Sequence, residues 1–231
     1  MKILILTAME DELLPIIKDL NKREVKTEFY NQIYLNNTGI NELYFSYTGI
    51  GKVNAAISTT MLINALKPDL VINLGTAGGI NANLEILDLV IADKLVYHDV
   101  DVTDFNYELG QVPQNETYLK TNIQEYKKLL QSLKNFDLNF YIGTIVSGDQ
   151  FISNKDVKVR LENNFENVYA VEMESTAIVN VCNKLATKVI VIRGISDLTH
   201  SNSTVEFTKY LTQVVQKFSK IIDVVQNYDF E

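Results

Sequence analysis

The sequence has no Trp, one Cys, three Pro and two His in 231 residues, and its basic side chains are outnumbered by its acidic ones. The lone Cys182 cannot close an internal disulfide, so an oxidising compartment is not called for. His98 and His200 lie far apart without metal-ligand spacing, and no metal or cofactor is expected. With 21 Lys plus Arg against 29 Asp plus Glu, the net charge of −8 argues against nucleic acid or an anionic membrane as partner. A small, mostly uncharged ligand fits better. Long apolar runs are also missing: none approaches the ~20 residues of a membrane span. The apolar start, Met1 to Ala8, meets Glu10, Asp11 and Glu12 too early for a secretory signal, so it reads as a buried first strand of a cytoplasmic protein.

Short runs rich in Ile, Val and Leu, apolar on both faces, recur at residues 2–8, 69–74, 88–92, 141–146 and 188–193. Segments of helical period lie between them. Residues 53–66 place Ala56, Ile57, Thr60, Met61, Ile63 and Asn64 at helical spacing, and Ala177, Ile178, Val181, Cys182 and Leu185 repeat the pattern. Residues 32–46, turning at Asn36-Asn37-Thr38-Gly39, predict a hairpin and hence a mixed sheet. Residues 203–227 predict one long amphipathic helix, and residues 99–117 an irregular, functional loop. The expectation is an α/β protein whose residues 1–231 form one domain.

The glycine motifs do not fit common phosphate loops. Around Gly49-Ile50-Gly51-Lys52, a P-loop would need Gly where Ser46 stands and Ser or Thr where Val53 stands, while a dinucleotide loop would need Gly in place of Asn54. A tight turn into the following helix is the alternative. Gly75-Thr76-Ala77-Gly78-Gly79 follows a buried strand, where small residues either make a turn or let a ligand approach the backbone. Glu172 and Glu174 flank Met173 at the start of an apolar helix, as dipole-compensating caps or as ligand groups. Asp197 emerges from a buried run as a helix cap or toward a crevice, and Glu12 follows the first strand as an exposed helical residue or a site group.

As an ordered set these segments resemble one family. Ala8-Met9-Glu10-Asp11-Glu12, the Gly49 to Ala56 string, Gly75 to Gly79, Tyr97 to Thr103, Val146 to Ile152, Val171-Glu172-Met173-Glu174 and Arg193-Gly194-Ile195-Ser196-Asp197 look like 5′-methylthioadenosine/S-adenosylhomocysteine nucleosidase, of the purine nucleoside phosphorylase/nucleosidase superfamily. The resemblance spans nearly the whole chain. It implies a three-layer α/β/α fold around a central mixed sheet, a homodimer, and hydrolysis of the N-glycosidic bond of adenosines carrying a 5′-thioether, with 5′-deoxyadenosine as a further substrate.

It also assigns roles. Asp197 would protonate adenine N7 and Glu12 would activate water on the other side of the ribose. Arg193 and Thr76 would stand beside the water, and Glu174 would bind the ribose hydroxyls. Phe151 and Ile152 would hold adenine, and Ala77, Gly78, Glu172, Met173 and Ser196 would line the site. Met9, Ile50 and Phe207 would surround the thioether, while Phe105 and Pro113 would reach the neighbouring subunit's pocket. The chain departs from the family pattern at Thr76, where Ser is usual, at Leu87, where Gly is frequent, at Pro15 in the first helix, and over residues 198–204. A phosphorylase is the nearest rival, disfavoured because a phosphate dianion beside Glu12 would be repelled. A non-catalytic nucleoside-binding module is the rival from another class.

Overall fold

Alternate residues of the first strand, β1 (Lys2–Thr7), point to opposite sides of a sheet, and each side meets its own helices. Ile3 and Ile5 join one core with α1 (Glu10–Ile17), α3 (Lys127–Lys134) and α6 (Ser203–Asn227). Leu4 and Leu6 join a second core with α2 (Lys52–Leu66) and α5 (Ser175–Lys184). The strands are therefore apolar on both faces because the architecture is three layers, α/β/α, as expected. A smaller cluster, with Leu161 and Phe165, lies under α4 (Lys155–Asn164) and its end. The structure is a computed structural model and describes residues 1–18, 20, 23–28, 31–135, 138, 140–198 and 203–230.

The remaining strands are β2 (Arg23–Glu28), β3 (Asn31–Asn36), β4 (Glu42–Tyr47), β5 (Leu70–Gly79), β6 (Leu89–Tyr97), β7 (Leu119–Lys120), β8 (Phe140–Ser147), β9 (Val168–Glu172) and β10 (Lys188–Asp197). Their order is β10-β6-β8-β9-β5-β1-β4-β3-β2, with β7 beside β6. β10 pairs with β5 as well as β6, so β5, β9, β8, β6 and β10 close a ring from which the other strands extend. Parallel pairs such as β1 with β4 and β5 coexist with antiparallel pairs such as β3 with β4. The predicted hairpin and the mixed sheet are both present.

Several elements differ from expectation. The Gly75 to Gly79 motif is not a turn: β5 runs through it, with Arg193 to Ile195 of β10 alongside in register. β6 and β10 likewise run beyond their apolar runs, to Tyr97 and Asp197. Glu172 ends a strand rather than starting a helix. In α2 the buried face is Ala55, Ser58, Thr59, Leu62 and Ile63, whereas Val53 and Ile57 are exposed. Pro15 lies inside α1 without ending it. The helix predicted over residues 203–227 is present at those bounds. Leu87 has φ of 76°, a left-handed conformation that costs a side-chain-bearing residue about 1–2 kcal/mol and explains why Gly suits this position. Of the unusual stretch 198–204, residues 199–202, with His200, lie outside the described residues.

Candidate active site

Strand ends and helix starts converge on a cavity of about 290 Å³. The first turn of α1 carries Glu12, which is 1% exposed. Its Oε2 accepts hydrogen bonds from the N–H groups of Ala8 and Met9 at 3.1 and 3.2 Å, capping its own helix. Its Oε1 accepts from the Thr76 N–H at 2.8 Å and the Thr76 hydroxyl at 3.0 Å. Glu12 is therefore a buried group that lines the cavity and also caps its own helix, not an exposed helical residue.

Arg193, 1% exposed, crosses the cavity floor from β10. Its Nη2 donates to Glu172 Oε2 at 2.6 Å and to Asn73 Oδ1 at 3.0 Å, and its Nε to Ser175 Oγ at 3.0 Å. Gly75 makes room for it: a Cβ there would stand 1.8 Å from Arg193 Nη1. Glu172 is a second helix cap, since its Oε2 accepts from the N–H groups of Glu174 and Ser175 at 3.0 and 2.8 Å. Its Oε1 accepts a short hydrogen bond from the Ser147 hydroxyl.

Glu174 closes the third side. Its Oε1 accepts from the Gly51 N–H at 2.8 Å, and its Oε2 lies 3.9 Å from Arg193 Nη2. Burial, reinforced by the charge of Glu172, pushes its carboxyl up to about 8, with Arg193 opposing. Gly49 and Gly51, with φ of 83° and 90°, form the tight turn into α2 that aims this N–H at Glu174. The glycine pair thus forms a turn that binds Glu174 and carries Ile50, which lines the cavity.

Asp197 stands at the end of β10, 2% exposed. Its Oδ1 accepts from the Ser196 hydroxyl at 3.1 Å, and its Oδ2 from Lys158 Nζ at 2.8 Å. Met9, Ile50, Ala77, Gly78, Met173 and Phe207 complete the lining with Phe151, whose ring meets that of Phe207 edge to face at 6.3 Å. Ile152 lines a small adjoining pocket beside Met173 and Asp197. Phe105 and Pro113 do not line the cavity of their own chain and are exposed. Ala8, Val171 and Lys158 were not among the expected site residues. Lys158 left a trace in the sequence, since it precedes Leu161 by three residues and so shares its buried helix face. Among the described residues, no group of three or more His, Cys, Asp or Glu could hold a metal ion.

The sequence and the fold find close parallels in known proteins. The phosphorylase superfamily model matches residues 2–226. A 5′-methylthioadenosine/S-adenosylhomocysteine nucleosidase of Buchnera aphidicola is 37% identical over 97% of this chain and 96% of its own. The S-adenosylhomocysteine nucleosidase of Streptococcus pyogenes, solved with 5-methylthiotubericidin, superposes with a TM-score of 0.89 at 33% identity, covering 97% of this chain and 95% of that one. A futalosine hydrolase mutant of Helicobacter pylori superposes equally well, with a TM-score of 0.89 at 31% identity over 96% of this chain and 97% of that one.

Proposed function

The chain belongs to the phosphorylase superfamily and, within it, to the 5′-methylthioadenosine/S-adenosylhomocysteine nucleosidases, and we propose that it cleaves these nucleosides with Asp197 as acid and Glu12 as base. Adenine leaves poorly as an anion, so protonation at N7 must accompany cleavage of the C1′–N9 bond. The ribose develops oxocarbenium character, which Glu174 beneath its hydroxyls stabilises. Water then adds to C1′ and gives its proton to Glu12. The products are adenine and the 5-thio-substituted ribose from the thioethers, and adenine and 5-deoxyribose from 5′-deoxyadenosine.

The observation that carries this reading is the distribution of charge in one cavity. The carboxyl groups of Glu12, Glu174 and Asp197 share it, and Arg193, the cation among its described lining residues, is bound to Glu172. A phosphate dianion would stand beside Glu12 without a free positive partner, which favours water as nucleophile over phosphorolysis. Thr76 orients that water. Phe151, Ile152, Gly78 and Met173 hold adenine, and Met9, Ile50 and Phe207 offer a thioether apolar contact without a hydrogen-bond partner.

The active unit in this reading is a cytoplasmic homodimer of single-domain chains. Val53, Ile57 and Phe105 are exposed large apolar residues, and Val53 also lines a groove with Tyr97, Val112 and Val181, which supports a second copy as its occupant. Phe105 and Pro113 would then complete the neighbouring pocket. Among the described residues, no helix is long and apolar enough to cross a membrane.

The test is incubation with 5′-methylthioadenosine, S-adenosylhomocysteine and 5′-deoxyadenosine, each with and without phosphate, with chromatography of the products. Adenine release without phosphate, lost in Glu12→Gln while nucleoside binding persists, is expected. Release only with phosphate overturns hydrolysis, and near-normal turnover by Glu12→Gln overturns the assignment of the base.

A further inference from the structure

An acid that donates to adenine must carry a proton when the nucleoside arrives, yet Asp197 is paired with a fully buried ammonium. Lys158 comes from α4, its side chain has no exposed surface, and its Nζ donates to Asp197 Oδ2 at 2.8 Å. Removing an ammonium from water costs several kcal/mol even when it is paired, and an apolar residue would extend the Leu161 and Val171 cluster more cheaply. Gly78 accommodates the pair, since a Cβ there would stand 3.2 Å from Asp197 Oδ2 and 3.3 Å from Lys158 Nζ. The other charged groups around the cavity are Glu12 from α1, Glu172 from β9, Glu174 before α5 and Arg193 from β10, each held by the hydrogen bonds given above. Glu206 stands next to Phe207 in α6.

We propose that Lys158 is the proton reservoir for Asp197, so that the buried pair, rather than the carboxyl alone, acts as the acid. The inference rests on the reading of Asp197 as the group facing N7. When the nucleoside fills the cavity and expels water, a buried ion pair gains by becoming a neutral amine and a neutral carboxylic acid. One Nζ–H bond of Lys158 breaks and an O–H bond forms on Asp197. As C1′–N9 breaks, that proton passes to N7 while the bond electrons go to N9, so adenine leaves neutral. Water adds to C1′ and yields its proton to Glu12. The pair then holds a neutral amine and a carboxylate, Glu12 is protonated, and exchange with solvent moves one proton from Glu12 back to the amine. Lys158 is a positioning residue in this scheme, acting through Asp197.

The test compares pH profiles of kcat/KM for wild type and Lys158→Met. In wild type the basic limb follows loss of a proton from the pair. In the variant only the carboxyl group remains to supply the proton, and the limb is expected at lower pH than in wild type. Adenine release above neutral pH is expected to fall by about a hundredfold, with the loss in kcat rather than KM. Release of 4-nitrophenolate from its 5-methylthioribosyl derivative needs no acid, so the ratio of the two rates should fall with it. A limb that stays in place, or moves to higher pH, overturns the proposal, the second because Lys158 would then oppose protonation of Asp197. Equal loss with both substrates also overturns it, as a structural role. If Lys158→Met does not fold by thermal melting, Lys158→Gln is read the same way. Absence of adenine release from wild type overturns the reading of Asp197 along with the proposal.

Discussion

Both donors of Thr76 bind one oxygen of Glu12, the backbone N–H at 2.8 Å and the hydroxyl at 3.0 Å. With Ala8 and Met9 on the other oxygen, the lone pairs of the carboxylate are fully engaged. A water can approach only where a partner yields, and the hydroxyl is the one that rotates. Thr76→Ser should therefore keep most activity. Thr76→Val should lower kcat about tenfold to a hundredfold with KM little changed, the value of one buried hydrogen bond of 1–3 kcal/mol. Steady-state kinetics checks this, and unchanged kcat in Thr76→Val would contradict it.

Glu174 makes stability depend on pH with a definite sign. Its carboxyl is pushed by burial, then by Glu172, from 4.5 to about 8 in the native state. Between those values the native chain holds a proton that the unfolded chain has lost, so stability falls as pH rises through the window, by up to about 1.4 kcal/mol per pH unit. Glu174→Gln removes this titration. Its stability relative to wild type should rise from pH 5 to pH 8 in denaturant unfolding, and a constant difference would argue against the native protonation.

Gly75 has no space for a methyl group, because Arg193 Nη1 occupies it. Gly75→Ala must displace a guanidinium that Glu172 and Asn73 hold in place. A loss of about 1–3 kcal/mol is expected, together with a fall in turnover, since Glu12 Oε1 would stand 3.3 Å from the new Cβ. Thermal unfolding and kinetics measure the two effects, and a variant with wild-type values for both would show that Arg193 is not fixed.

Leu87 is tethered in its left-handed conformation at both ends: its N–H donates to the Ile195 carbonyl at 2.8 Å and its carbonyl accepts from Lys217 Nζ at 2.6 Å. Leu87→Gly should relieve about 1–2 kcal/mol of backbone strain and so offset the lost side-chain contacts. Leu87→Ile, nearly equal in volume but β-branched, should be the less stable of the two. The reverse order in melting temperature would contradict the strain.

Much of the fold is visible in the chain because burial on both faces leaves unbroken apolar runs, as in residues 2–7, and because α6 has one wet face and one dry one. The ends of β5, β6 and β10 are not visible that way. There β5 continues through Thr76, Ala77 and Gly78 and β10 through Ser196 and Asp197, small or polar residues that line the cavity and carry no strand pattern. The face of α2 is misread for a related reason, since Val53 and Ile57 are apolar yet exposed, while Ser58 and Thr59 are buried. The site carboxylates could be found only as a set. Glu12 and Glu172 each also cap a helix, so local chemistry alone accounts for them. Lys158 was missed because a single lysine in α4 looks like surface charge until its alignment with Leu161 is considered.

Turnover of 5′-methylthioadenosine in ¹⁸O-labelled water, with mass spectrometry of the sugar, tests the water-based mechanism most directly. One labelled oxygen at C1 of methylthioribose, in phosphate-free buffer and absent when Glu12→Gln replaces the enzyme, is the expected result. Unlabelled sugar, or a phosphorylated sugar formed only when phosphate is added, would contradict it.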